Sequence, residues 1–137
     1  MVLLSVLASI SAGNAHAHGY KRNAIEIVHP WTSEKGEAEG RDAIVAMAIR
    51  NTGKAPDRIL RAETVIAERA ELRDGAGTVL TKGMLIQPGS ALEFGRGKVH
   101  LRLIGMKKSL VPYDTLTVTL VLEKAGTLKI DVLVEER

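Results

Sequence analysis

The run Thr115-Leu116-Thr117-Val118-Thr119-Leu120-Val121-Leu122-Glu123-Lys124-Ala125-Gly126-Thr127-Leu128-Lys129-Ile130-Asp131-Val132-Leu133-Val134-Glu135 alternates with a period of two. Leu116, Val118, Leu120 and Leu122 face one way, and Thr115, Thr117 and Thr119 the other. After Ala125-Gly126 the pattern resumes, with Leu128, Ile130, Val132 and Val134 alternating against Lys129, Asp131 and Glu135. A strand shows successive side chains to opposite faces, so this is a β-hairpin with one buried face.

The same signature recurs upstream. Ile25 and Ile27 flank Glu26, and Ile44 to Arg50 is an apolar-rich strand ended by Asn51-Thr52-Gly53. Arg58 to Val65 and Ala67 to Arg73 read as two more strands, and Val99, Leu101 and Leu103 alternate with His100 and Arg102. Turn signals separate these runs, among them Asp74-Gly75-Ala76-Gly77, Pro88-Gly89-Ser90, Gly95-Arg96-Gly97 and Val111-Pro112-Tyr113-Asp114. About seven to nine short strands are expected, as an all-β sandwich or barrel. Ala62 to Leu72 is the one stretch where a helix competes with strand pairing.

The first nineteen residues differ from the rest. Met1 to Gly19 has no Asp, Glu, Lys or Arg, and Val2 to Ile10 is apolar apart from Ser5 and Ser9. Ala15-His16-Ala17 fits the small-x-small rule for signal peptidase, with cleavage before His18; Gly13-Asn14-Ala15 offers a second point, before His16. The expectation is a signal peptide over 1–17, its basic n-region shortened, and one exported domain over 18–137. The apolar run is too short for a permanent membrane span.

Composition narrows the chemistry. The 137 residues include no Cys, which removes disulfides, Cys-based metal sites and a thiol nucleophile. A net charge of +3, dispersed along the chain, does not argue for nucleic acid. With one Trp, one Phe and two Tyr there is no stacking platform for single strands. No Gly-x-Ser-x-Gly and no Ser/His/Asp set suggests a hydrolase, so the chain is expected not to be an enzyme. Gly95-Arg96-Gly97-Lys98 reads as a turn rather than a phosphate cradle.

Imidazole and thioether groups remain. Both are natural copper ligands in an oxidising compartment. The histidines are His16, His18, His29 and His100, and the methionines after Met1 are Met47, Met84 and Met106. Met47 lies within an apolar strand and reads as core. His29, ahead of Pro30-Trp31, reads as packed or bonded near the Trp ring. An amino-terminal His18 would chelate Cu(II) through its α-amino and imidazole nitrogens, with His16 or His29 adding a further nitrogen.

Ile25-Glu26-Ile27-Val28-His29-Pro30-Trp31, Ile49-Arg50-Asn51-Thr52-Gly53, Pro56-Asp57-Arg58-Ile59-Leu60, Ala70-Glu71-Leu72, Ile86-Gln87-Pro88-Gly89 and Val99-His100-Leu101 follow one another in an order that resembles the periplasmic copper chaperones of the PCu(A)C type, also called DUF461. The resemblance covers nearly all of 18–137. It implies a cupredoxin-like β-sandwich or Greek-key barrel, one exposed copper ion, and delivery of copper to a respiratory oxidase subunit or another periplasmic copper protein. The family's ligands are a His after a Glu-Leu-like pair, a Met about ten residues on, and a later His-x-Met. Here the first His is Arg73, the first Met falls in a shortened loop near Thr78-Val79-Leu80, and His-x-Met becomes His100-Leu101-Arg102. Only His100 matches, so the resemblance implies an altered or lost site. Two rescues present themselves: His100 with Met84 or Met106, or the amino-terminal His18. The rival reading is a metal-free interaction module with a basic patch of Arg73, Arg102, Lys107 and Lys108.

Overall fold

A computed structural model describes residues 19–137, which form ten β-strands and no helix. The hairpin is β9 (Thr115–Leu122) and β10 (Gly126–Glu135), paired antiparallel from Leu122↔Gly126 to Thr115↔Leu133. All eight alternating apolar side chains named for it are buried. The remaining strands are β1 (Gly19–Arg22), β2 (Ile25–Ser33), β3 (Ala43–Asn51), β4 (Asp57–Glu63), β5 (Ala67–Arg73), β6 (Met84–Ile86), β7 (Ala91–Phe94) and β8 (His100–Met106). The count exceeds the expected seven to nine because β1, β6 and β7 have only three or four residues, too few to show a period. Ala62 to Leu72 is no helix: it holds the end of β4, a turn and β5, since β9 and β8 offer each half a ladder partner.

Strand order is β5-β8-β3-β2-β10-β9-β4-β6, with β1 on β2 and β7 on β3. The β2–β10 pair is parallel and the others are antiparallel. In a flat sheet β5 and β4 would lie about 29 Å apart, at about 4.8 Å per strand. Yet only Thr64-Val65-Ile66 joins them, a reach of no more than about 15 Å. The sheet must therefore curl into a half-barrel around its apolar face. Ile25, Ile27, Val45, Ile49, Ile59, Ile86, Leu101, Leu103, Val118 and Ile130 fill that interior.

Two irregularities shape the outside. The outer edge of β3 is shared, Ala43–Val45 pairing β8 and Met47–Arg50 pairing β7, with Ala46 at the break. The turn Gly95-Arg96-Gly97-Lys98 joins these two partners, as expected of it. On the other edge, β2 slips register between Val28 and Trp31, so His29 and Pro30 oppose Met47 alone. The signal-peptide assignment and His16 and His18 lie outside the described residues.

Candidate metal centre

The period of two gathers the positions that the family resemblance singled out. Arg69, Glu71 and Arg73 share one face of β5, and His100 and Arg102 share the matching face of β8. Arg73 lies directly opposite His100, and Glu71 opposite Arg102. The loop after Arg73 returns at once, with an Arg73↔Val79 bridge and the Leu80 amide donating to Leu72 O at 2.8 Å. Asp74 Oδ1 accepts from the Ala76 and Thr78 amides at 2.9 Å each, which pins that loop.

His100 is 6% exposed, with Nδ1 2.8 Å from the Lys98 carbonyl oxygen. A carbonyl can only accept, so Nδ1 carries the proton and Nε2 presents a lone pair. Nε2 is buried and has no hydrogen-bond partner among the described residues. A buried acceptor left alone costs about 1–3 kcal/mol. It is also the form of imidazole that binds a metal ion.

The charges around it are arranged differently from the sequence expectation. Two guanidiniums side by side would repel a cation, but Arg73 and Arg102 are each bound to a carboxylate. Arg73 donates from Nε and a terminal nitrogen to Glu71 Oε1 at 3.0 and 2.6 Å, and Arg69 donates to Glu71 Oε2 at 2.9 Å. Arg102 donates twice to Asp42 Oδ2, at 3.1 and 2.9 Å, while Asp42 Oδ1 accepts from the Gly105 amide at 3.1 Å. Hydrogen bonds from Arg69 and then Arg73 hold the Glu71 carboxyl below the usual range. Burial raises Asp42, but the Gly105 amide and Arg102 outweigh it, and its carboxyl also lies low. Two carboxylates thus offset most, though not all, of the charge of the three guanidiniums on this face. The expected basic patch is thinned in the same way, since Lys108 stands 3.7 Å from Asp114.

Met106 stands apart from His100. Met106 is six residues along the same strand, about 20 Å away at the rise of a β-strand. Met84, on β6, pairs with Ile59 of β4, and both methionines pack against the core. Among the described residues no group of three or more His, Asp or Glu side chains is placed to hold an ion.

A second cluster was invisible to pattern reading. His29 has φ of +50°, and its Nε2 meets Glu135 Oε2 at 2.8 Å. Glu135 also accepts from Arg137 Nε at 2.7 Å, and the Arg137 guanidinium lies 3.8 Å from the centre of the Trp31 ring. His29 is therefore bonded beside the Trp, as read from the sequence; its partner arrives from the far end of the chain. Two adjoining hollows of about 260 Å³ each flank Trp31 and share Ala46, Glu93 and Phe94.

The family model described as "Putative lipoprotein LpqE-like" matches residues 25–134. No curated protein matches the chain. Among solved structures, a copper-bound PCuAC domain from PmoF2 is 28% identical, with a TM-score of 0.77, covering 88% of this chain and 99% of that one. An apo PCuAC domain from PmoF1 is 26% identical, with a TM-score of 0.79, covering 88% and 100%. The Cu(I) form of DR1885 from Deinococcus radiodurans, at 21% identity and a TM-score of 0.70 over 92% and 86%, shares the fold. The curled all-β architecture is that of these cupredoxin-like domains.

Proposed function

Because the chain belongs to the LpqE-like family, we propose that it handles copper outside the cytoplasm, holding the ion weakly at His100 and releasing it by ligand exchange. The observation that carries this reading is the buried, partnerless Nε2 of His100, set in a fold shared with a copper-bound PCuAC domain. Natural cores rarely leave an imidazole acceptor unsatisfied without a reason. Here the reason is a ligand nitrogen kept while Arg73 and Arg102 replace its usual companions. Pairing with Glu71 and Asp42 offsets most of the guanidinium charge that would repel a cation. A site with few protein ligands suits transfer, since an acceptor can invade it.

The apolar stretch before Gly19 supports export, and the acceptor is then a respiratory oxidase subunit or another periplasmic copper protein. The role is binding and transfer, not catalysis. Titration with Cu(I) and Cu(II) beside His100→Ala tests the reading. Cu(I) affinity better than micromolar, lost in His100→Ala, is the expected result. No affinity of that order for either ion would leave a metal-free interaction module in its place. Arg73→His with Arg102→Met is expected to tighten Cu(I) binding, as two ligand types return to one face with His100.

A further inference from the structure

We infer that two glycine-bearing turns form a gate over the His100 imidazole, and that a metal ion reaches Nε2 only when they part. The gate controls access to the site proposed above and rests on that reading for the nature of the ion alone.

His100 points out of the sheet and is nonetheless buried. Leu101 and Leu103 face the core, so His100 and Arg102 take the outer side of β8. The Arg102 side chain is 23% exposed there, whereas Nε2 of His100 is closed off from solvent. Neighbours within the sheet do not account for the difference. On one side stands Arg73, whose guanidinium is turned to Glu71. On the other, Val45 pairs with Leu101, so the next position is Ala46, a single methyl group.

Two turns meet at this end of the β5–β8 pair. Asp74 to Thr78 leaves β5 straight after Arg73, and Gly95 to Lys98 leads towards β8. A Cβ on Gly75 would stand 3.0 Å from Gly97 O and 3.5 Å from Lys98 Cα. Absence of a side chain is what lets the two backbones come so close. Each turn is closed on itself. The Asp74 amide donates to Thr78 O and the Gly77 amide to Asp74 O, both at 3.0 Å. In the other turn the Gly95 amide donates to Val99 O and the Lys98 amide to Gly95 O, again at 3.0 Å. Among the described residues no hydrogen bond joins one turn to the other. Two self-closed pieces in close but unbonded contact separate at the cost of a few van der Waals contacts. β5 is the last strand of the sheet, which leaves the first turn room to swing outward. The second turn carries the Lys98 carbonyl that fixes Nδ1, so its movement re-aims the ring as it uncovers it.

The test reads the imidazole chemically and without metal. Diethyl pyrocarbonate acylates unprotonated imidazole, and peptide mass identifies the histidine modified. Gly75 lies outside the left-handed region, so a side chain there acts as a wedge between the turns and not as backbone strain. Gly75→Leu is expected to raise the rate at His100 by about tenfold, with the rate at His29 unchanged, because access follows the local opening equilibrium. Gly75→Cys with Lys98→Cys supplies the opposite arm. The chain has no other Cys, and these two Cα atoms lie within about 5 Å, inside the span of a disulfide. Cross-linked, that protein is expected to react at His100 about tenfold more slowly than wild type, with Cu(I) uptake in stopped flow slowed as well. Rates at His100 within about twofold of wild type in both the folded wedge and the cross-linked protein would overturn the gate. Reactivity that shifts as expected in a protein that binds no Cu(I) would uphold the gate and overturn the copper reading alone.

Discussion

Asn51 is 1% exposed and spends its side chain on three backbone groups. Its amide nitrogen donates to Ala55 O at 2.9 Å and Ile86 O at 3.0 Å, and its oxygen accepts from the Gly53 amide at 3.0 Å. These bonds tie the β3–β4 turn to β6. Asn51→Ala is expected to cost about 3 kcal/mol, readable as a lower urea midpoint, because buried carbonyls lose their donor. His100 presents the opposite case. Leucine there would remove an unpaired buried nitrogen, so His100→Leu is expected to leave stability unchanged or raise it by about 1 kcal/mol while Cu(I) binding falls. A large loss of stability in that variant would mean that the histidine is there for packing. His100 was legible as a candidate because one short pattern framed it. Its orphan nitrogen was not, since hydrogen-bond satisfaction depends on neighbours distant in sequence.

Elements test the same logic through backbone space. At Gly83, φ is +78° and an added Cβ would stand 2.1 Å from the Ile59 carbonyl oxygen, in the strand that holds β6. Gly83→Ala is expected to cost roughly 2–4 kcal/mol and release β6 from β4. At Gly105, φ is +70°, but the nearest atom to an added Cβ is the Glu68 carboxyl carbon at 2.7 Å. That side chain can swing away, so Gly105→Ala is expected to cost only about 1 kcal/mol. Calorimetry of the two variants separates them. The long strands were plain in the sequence because each has one wet face. The three- and four-residue strands and the bulge at His29 carry no period of their own, and only their partners define them.

Across the whole molecule, the outer face of β5, β8 and β3 is an ion-pair lattice with a definite pH signature. The carboxyls of Asp42 and Glu71 lie below their ordinary values of 3.8 and 4.5 in the folded state. A depressed carboxyl stabilises the fold above its unfolded pKa, and that stability is lost as pH falls through the folded value. Urea midpoints are therefore expected to be flat down to about pH 4.5 and to drop steeply below it. Asp42→Asn with Glu71→Gln is expected to lower the neutral-pH midpoint and flatten the acid drop. An unchanged acid slope would remove the lattice from the stability of the molecule.

Alternation and turn chemistry are local properties, written into neighbouring residues. Residue order alone therefore determined the all-β class, the hairpin at the carboxyl end, most of the buried side chains and the candidacy of His100. Which charges neutralise which, which imidazole nitrogen stands alone, and that Glu135 reaches His29 across the curl of the sheet were decided by the tertiary structure. The Arg102–Asp42 and His29–Glu135 pairs join positions 60 and 106 residues apart, and only the folded sheet brings them together.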